Sequence, residues 1–268
     1  MIVPDFLVIG AYKSGTTALH HLLRAHPGLY LPARKEPGFF AFAGERPPFD
    51  HPAAASSVRE QADYDALFAG ARPGQRLGEV SPAYLAVPAA CARIREAAPE
   101  VRLVALLRNP VDRAYSDYLM YRRDGLEREE DFLRALDQQA ERDPATDPTS
   151  HYLDTGRYAE QIDRYLQAFP REQLHVLLHE DLSDDHDATV RALLSFLGVD
   201  PTVDLGAQAP SNVSGAPASS AMRLAYALRR RVGTRLRPIV PEGLKRRLDH
   251  QLQQRLVREP MPPEARER

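Results

Sequence analysis

The sequence predicts an α/β fold in which an open parallel sheet is flanked by helices on both faces. Apolar runs of strand length alternate with stretches of helical spacing, which is the pattern of a sheet covered on both sides. A glycine-containing loop joins the first apolar run directly to the first helical stretch. That succession places backbone amides and a helix N-terminus at one point, where they favour an anion.

Five apolar runs are predicted as strands. Residues 6–9 form the first, and its continuous apolar character is typical of a strand buried on both faces. Residues 102–107 are apolar enough for a second central strand. The remaining strands are residues 29–31, 77–80 and 174–179.

Helical spacing follows the first, third, fourth and fifth of these runs in chain order, and another helical stretch, residues 156–169, precedes the fifth. The predicted helices cover residues 18–24, 88–98, 111–123 (with Pro110 near its start), 156–169 and 188–197, the last ending at Gly198 in a C-terminal cap. Residues 44–57 are predicted as a surface excursion, and residues 124–150 as a charged helix plus a loop. Two basic amphipathic patterns, residues 222–237 and 244–258, are predicted as C-terminal helices.

Composition narrows the class of protein. The formal net charge of −2 gives no basic field for nucleic acid, so no nucleic-acid partner is expected. The single cysteine, Cys91, excludes a disulfide framework and a cysteine-based zinc site. No run approaches the ~20 apolar residues of a membrane span, so we expect a cytoplasmic protein. The length of 268 residues predicts one domain with its core over about residues 4–200 and a basic helical segment over about 219–258; the sequence is compatible with a homo-oligomer.

The loop over residues 10–17 resembles a phosphate-binding P-loop in its spacing. Gly10 and Gly15 keep the interval of the G-x-x-x-x-G-K-[ST] motif, but Thr16 stands where that motif has its lysine. The lysine of this chain, Lys13, lies inside the loop instead. This displacement argues against ordinary ATP–magnesium chemistry, and no metal is expected.

Several polar residues follow predicted strands. Lys13 and Arg108 come just after the first and fourth strands, Glu79 lies near the end of the third, and Glu36 lies in the loop after the second. Because parallel strands end at one edge of the sheet, these side chains are expected to converge there.

Two of these segments carry a resemblance to a known family. Residues 4–17 resemble the 5′-phosphosulfate loop, and residues 108–118 the 3′-phosphate motif, of sulfotransferases that use 3′-phosphoadenosine-5′-phosphosulfate (PAPS). Residues 35–40, 79–84 and 156–198 are similar to further blocks of the branch related to heparan sulfate sulfotransferases and their bacterial relatives. The resemblance covers roughly residues 4–200.

The resemblance implies an enzyme that transfers a sulfuryl group from PAPS to a hydroxyl of a small molecule, saccharide or lipid. It implies that Arg108 and Ser116 hold the 3′-phosphate, and that Glu36 is the catalytic base. The residues implied to hold the 5′-phosphosulfate are Lys13, Ser14, Gly15, Thr16 and Thr17, with Lys13 also stabilising the leaving phosphate.

The chain departs from that branch on the acceptor side. The branch carries a His two residues after the Glu and an Asp three residues further on, where this chain has Gly38 and Ala41. It also has a Lys where this chain has Val80. The expected acceptor is therefore not a heparan-like polyanion.

Alternatives stay open at this point. Glu36 is also interpretable as a surface ion-pair partner of Lys35 or Arg34, and His151 is the rival base. Tyr84 and the pair Phe39–Phe40 are open to two interpretations, as walls of an acceptor pocket or as core residues. The rival functions are a P-loop kinase or NTPase and a non-catalytic nucleotide-binding protein on the same fold.

Overall fold

The computed structural model describes residues 1–44, 57–143, 147–205, 216–217, 256–257 and 260–266. The chain divides into two compact units. The first consists of Met1–Pro110 and Arg157–Ser211, and the second of Val111–Gly156 and Asn212–Arg268. One domain over residues 1–268 stays a prediction.

The first unit contains a five-stranded sheet in the order β2-β3-β1-β4-β5, and every neighbouring pair is parallel. This confirms the predicted open parallel sheet. The strands are β1 (Phe6–Gly10), β2 (Leu29–Tyr30), β3 (Arg76–Val80), β4 (Arg102–Leu107) and β5 (Leu174–Leu178). Each predicted strand agrees with an observed one to within one residue at either end.

Helices connect the strands of this unit. The first unit holds α1 (Thr16–Ala25), α2 (Phe39–Phe42), α3 (Gln61–Ala66), α4 (Ala83–Ala86), α5 (Pro88–Ala97), α8 (Tyr158–Ala168), α9 (Asp181–Asp184) and α10 (His186–Leu197). Gly198 ends α10 in the left-handed conformation with φ 71°, as the sequence predicts.

The core of the first unit lies on both faces of the sheet. Successive residues of a strand point to opposite faces. Leu7 and Ile9 of β1 therefore pack in one apolar cluster, whereas Phe6 and Val8 pack in the other. All four side chains are buried, which accounts for the unbroken apolar run that marks this strand in the sequence.

The second unit is built on helix α6 (Pro110–Arg123) and the shorter α7 (Phe132–Gln138). Arg113 is fully buried there, donates to Asp117 Oδ2 at 3.2 Å and also donates to the carbonyl of Tyr152. The predicted charged helix plus loop over residues 124–150 is confirmed as α7 and its flanking turns, in the part of that segment that the structure describes.

Several predictions lie outside the described residues. The basic pattern over residues 222–237 is one, and most of the excursion over 44–57 is another. Of the pattern over 244–258, only Leu256–Val257 is described; these residues form a two-residue strand, β7, which pairs antiparallel with Ala216–Pro217, β6, so the predicted helix does not extend to them. Among the described residues, no helix combines the length and apolar character needed to cross a bilayer.

Candidate active site

The candidate site lies at the carboxyl edge of the sheet in the first unit. Because β1, β3, β4 and β5 are all parallel, the residues that follow them emerge at the same edge. We call residues 10–17, between β1 and α1, the anion loop, and residues 35–41, which run from the loop after β2 into α2, the Glu36 segment.

The anion loop is fixed to the neighbouring strand β4. The amide of Ala11 donates to the carbonyl of Leu106 at 2.7 Å, and the amide of Ser14 donates to Ala11 O at 3.3 Å. Lys13 lies between them in the left-handed region with φ 62°. A lysine rarely adopts this conformation, which costs about 1–3 kcal/mol and persists where surrounding contacts impose it.

Gly15 lies in the anion loop and is the N-cap of α1, with φ 99° and no side chain capping the helix. Its left-handed backbone favours glycine, and a Cβ there would lie 3.0 Å from Nδ1 of His179, which would have to shift. His179 follows β5, and its Nδ1 lies 3.0 Å from Ser14 O. Since a carbonyl only accepts, Nδ1 carries the proton in this contact.

The anion loop contains an unsatisfied buried hydroxyl. Ser14 is fully buried, and its Oγ has no hydrogen-bond partner among the described residues. Buried polar groups are normally paired, and the exceptions call for an explanation. The amides of Thr16 and Thr17, at the start of α1, likewise lack intrahelical acceptors. An anionic group bound in the loop would satisfy both, so these residues fit a phosphate or phosphosulfate.

Arg108 reaches the anion loop from the end of β4. Its Nη1 donates to the carbonyl oxygen of Lys13 at 3.3 Å. The two cations that the sequence places in separate motifs, 95 residues apart, are thus brought together at one edge. Ser116, the other predicted phosphate ligand, lies on α6 in the second unit, where it is 4% exposed; its role stays a prediction.

Glu36 has a constrained backbone and an accessible carboxylate. Its φ of 59° makes it, with Lys13, one of the two non-glycine residues with positive φ in the described part of the chain. Its amide donates to Val80 O at 3.0 Å, which ties the Glu36 segment to the end of β3. The side chain is 32% exposed and forms an ion pair with Lys35. The ion-pair interpretation is therefore observed, and the exposed fraction leaves the carboxylate open to solvent.

Glu79 lies beneath the Glu36 segment and is 1% exposed. Three hydroxyls donate to its carboxylate: that of Tyr84 to Oε1, that of Tyr64 to Oε1 at 3.3 Å, and that of Ser81 to Oε2 at 3.0 Å. Burial raises the pKa of Glu79 from 4.5 to about 7, and the three hydrogen bonds oppose this rise. We call Glu79, Ser81, Tyr64 and Tyr84 the Glu79 cluster.

Two hydroxyls of the Glu79 cluster also accept hydrogen bonds from the Glu36 segment. Ser81 Oγ accepts from the amide of Gly38 at 2.9 Å, and Tyr84 Oη accepts from the amide of Phe40 at 3.3 Å. The sequence identifies Glu79 at this edge without assigning it a role, and it gives no indication of Tyr64, whose contribution from α3 depends on the folded chain.

The aromatic residues near Glu36 belong to the core. Phe39, Phe40 and Tyr84 are all less than 7% exposed and pack in the same apolar cluster, where Phe39 stacks on Tyr64 with ring centroids 4.5 Å apart. Of the two interpretations of these side chains, the structure supports core packing.

The histidines differ in environment. His20, on α1, is buried with Nε2 3.0 Å from Pro32 O, and burial lowers its pKa from 6.5 to about 4, so it is a packing residue. His151, the rival base, lies in the second unit in the short 3₁₀ turn Pro148–His151. His179 is the histidine that contacts the anion loop, and the sequence motifs did not identify it. It comes directly after an apolar strand, as Arg108 does, and this position could have indicated it.

The chain is similar to known proteins over most of its length. A family model described as a sulfotransferase domain matches residues 3–213. A crystal structure of a sulfotransferase from Alicyclobacillus acidocaldarius is 33% identical, with a TM-score of 0.70, and the match covers 85% of this chain and 92% of that one. The heparan sulfate glucosamine 3-O-sulfotransferase 6 of Homo sapiens is 31% identical over 198 residues, which are 73% of this chain and 52% of that protein.

A second curated relative gives the same picture. The heparan sulfate glucosamine 3-O-sulfotransferase 3B1 of Mus musculus is 28% identical over 199 residues, covering 74% of this chain and 46% of that protein. The chain thus spans about half the length of the curated relatives it matches.

Proposed function

The chain belongs to the sulfotransferase domain family, and from that premise we propose that it transfers a sulfuryl group from PAPS to an acceptor hydroxyl. The observation that carries the proposal is the contact between Arg108 and the backbone of Lys13 at 3.3 Å. Two cationic side chains from separate motifs at one edge of a sheet suit a nucleotide with a phosphate at each end of its ribose.

PAPS supplies an activated sulfuryl group on its 5′-phosphate, and the anion loop has the residues to hold that end. The hydrogen-bond donors are the buried Ser14 hydroxyl and the amides and hydroxyls of Thr16 and Thr17. Lys13 neutralises the charge that develops on the departing phosphate, a task that requires no metal. Arg108, with its planar fork of donors, holds the 3′-phosphate. Ser116 as a second ligand of that phosphate stays a prediction from the sequence.

Glu36 takes the proton from the acceptor hydroxyl. Its carboxylate is 32% exposed, and its backbone is tied to the end of β3 by the hydrogen bond to Val80 O. Because its backbone is already fixed, the base is preorganised to accept the proton of a bound hydroxyl. The neighbouring Lys35 forms an ion pair with this carboxylate.

We propose a saccharide with few or no anionic groups as the acceptor. The curated relatives are named for their action on heparan sulfate glucosamine, which supports a saccharide. Gly38, Ala41 and Val80 supply no polar side chain at the three positions where that branch has His, Asp and Lys. A small-molecule or lipid hydroxyl is the alternative, and a cytoplasmic location stays a prediction.

The donor is tested by calorimetric titration with 3′-phosphoadenosine-5′-phosphate (PAP) and with ATP, each with and without magnesium. We expect PAP to bind more tightly than ATP, with no effect of magnesium. Tighter binding of ATP that magnesium strengthens would overturn the proposal in favour of a kinase or NTPase.

The acceptor is tested with ³⁵S-labelled PAPS and a panel of four compounds. These are an N-acetylglucosamine hexamer, heparosan oligosaccharide, 4-nitrophenol and cholesterol in detergent. We expect the fastest labelling of the neutral hexamer. Faster labelling of heparosan would contradict the proposed acceptor class, and binding of PAP with no transfer to any member would favour a non-catalytic nucleotide-binding protein.

A further inference from the structure

We propose that Glu79 is a positioning residue of the sulfuryl-transfer site: its buried carboxylate holds the Glu36 segment in the conformation that presents Glu36 to the acceptor. The inference rests on the proposed function, because it takes Glu36 as the base. In this role the carboxylate of Glu79 acts through Glu36 and does not itself contact the acceptor.

The hydrogen bonds connect Glu79 to the Glu36 segment through two hydroxyls. Ser81 donates to Glu79 and accepts from the amide of Gly38, at 3.0 and 2.9 Å. Tyr84 donates to Glu79 and accepts from the amide of Phe40, the latter at 3.3 Å. Since each hydroxyl has one proton, donation to Glu79 fixes its rotation and leaves its lone pairs facing the segment.

The direction of donation depends on the charge of Glu79. Above its pKa of about 7 the carboxylate of Glu79 is ionised and only accepts, so at pH 8, where the test below is run, it accommodates the three hydroxyl protons that point at it. A neutral amide in the same volume has two N–H donors on one side. The amide N–H group would point at one of these hydroxyls. That hydroxyl would then have lost the acceptor of its own proton, and it would rotate away from the backbone amide that it now binds.

The conformation that is held is a strained one. Glu36 has φ 59°, and Gly38 has φ 65°, so two left-handed residues occur within the segment. A left-handed glutamate costs about 1–3 kcal/mol and needs surrounding contacts to maintain it. The bonds from Gly38 and Phe40 to the cluster, with that from the Glu36 amide to Val80 O, are those contacts.

Glu79 is not itself a suitable base. Burial raises its pKa to about 7, which would suit proton transfer, but the side chain is 1% exposed and its oxygens are engaged by three hydroxyls. The titratable groups that face it are the phenols of Tyr64 on α3 and Tyr84 on α4, whose pKa values are raised by burial and by the charge of Glu79. Both phenols stay neutral donors.

The test compares Glu79→Gln with wild type and with Glu100→Gln, which makes the same chemical change at an exposed glutamate before β4. Three quantities are measured on the whole chain at pH 8: the Kd for PAP, the kcat and KM for the acceptor of the panel that is labelled fastest, and amide hydrogen exchange of the peptide containing residues 36–42. A thermal melt accompanies each variant.

We expect Glu79→Gln to lower kcat about 10- to 100-fold, since small displacements of a reacting group have effects of this size. The Kd for PAP stays within about threefold of wild type because the anion loop is not connected to the cluster by these bonds, and exchange of the Gly38 and Phe40 amides becomes about tenfold faster. Glu100→Gln matches wild type in all three measurements.

An unchanged kcat or unchanged exchange in Glu79→Gln would overturn the inference. A parallel loss of kcat, PAP affinity and melting temperature would also overturn it, because that pattern marks a merely structural role. Failure of the proposed function is distinguishable: wild-type protein would then bind no PAP, or bind it and transfer no sulfuryl group, while the exchange measurement would still report whether Glu79 holds the segment.

Discussion

The anion loop and the Glu36 segment are two parts of one sheet edge, and they are built on different physical principles. The anion loop is held by a backbone hydrogen bond to β4 and by Arg108. The Glu36 segment is held by side chains, through the buried Glu79 cluster. Main-chain geometry thus fixes the segment proposed to bind the nucleotide, whereas the segment proposed to meet the acceptor depends on a few buried polar side chains.

The largest effect is expected from Glu36→Gln, which separates the two parts most cleanly. Loss of a general base lowers kcat by about 10²–10⁴-fold, while PAP affinity stays at the wild-type level because the anion loop is intact. Steady-state kinetics and PAP titration measure both quantities. Lys35→Met is the matched variant: an ion pair that is open to solvent contributes about 0.2–1 kcal/mol, and loss of the partly exposed Lys35–Glu36 pair is expected to change kcat by at most about fivefold. Equal changes in kcat for the two variants would indicate that Glu36 acts only as an ion-pair partner of Lys35.

Lys13→Ala acts on the anion loop. We expect kcat to fall about 10²–10³-fold, since a lost group that stabilises developing charge has this effect, and PAP affinity to fall by a smaller factor. Arg24→Ala, an exposed cation on α1, is the control and leaves both values unchanged. A Lys13→Ala variant with wild-type kcat would contradict the role of Lys13 at the leaving phosphate.

Glu79 gives a pH-dependent contribution to the stability of the folded chain. Its pKa is about 7 in the folded chain against 4.5 in the unfolded one. Between these pH values the folded state holds a proton that the unfolded state releases, so the free energy of unfolding falls as the pH rises, by up to about 3 kcal/mol. Urea unfolding of wild type and Glu79→Gln at pH 5, 6, 7 and 8 measures it. The variant becomes more stable relative to wild type with rising pH, and a constant difference would contradict the shifted pKa.

The smallest effect is expected from Arg108→Ala. Loss of a charge-assisted hydrogen bond of about 2 kcal/mol weakens PAP binding about 30-fold. Binding of 5′-AMP, which lacks the 3′-phosphate, stays unchanged. Titrations with both nucleotides check this, with Arg72→Ala, on the loop before β3, as the control. Equal weakening of the binding of both nucleotides would contradict a contact between Arg108 and the 3′-phosphate. It would indicate instead that Arg108 maintains the anion loop.

The sequence predicts the fold well, and also that Lys13 and Arg108 lie at the same edge of the sheet, for a physical reason. β4 is predicted at its observed bounds, Arg102–Leu107, because a strand buried on both faces is marked by its own residues. The places of Lys13 and Arg108 follow, since each comes directly after such a strand and parallel strands end together.

The acceptor end could not be predicted in the same way. Tyr64 reaches Glu79 across 15 residues of chain and Ser81 reaches Gly38 across 43, and neither contact leaves a local pattern. The left-handed backbone of Glu36 is equally hidden, because glutamate rarely adopts it and tertiary contacts impose it. These features become visible only when distant segments are folded together.

The burial of Val80 and the positive φ of Gly38 also limit how this family member can change its acceptor. Val80 is 1% exposed in the apolar cluster beneath β1, so a lysine there would bring an ammonium group into hydrocarbon. A histidine at position 38 would need the left-handed conformation that glycine accepts freely. Single substitutions to the residues of the heparan-directed branch are thus expected to lower stability before they add affinity for a polyanion, so the proposed acceptor preference would be hard to reverse one residue at a time.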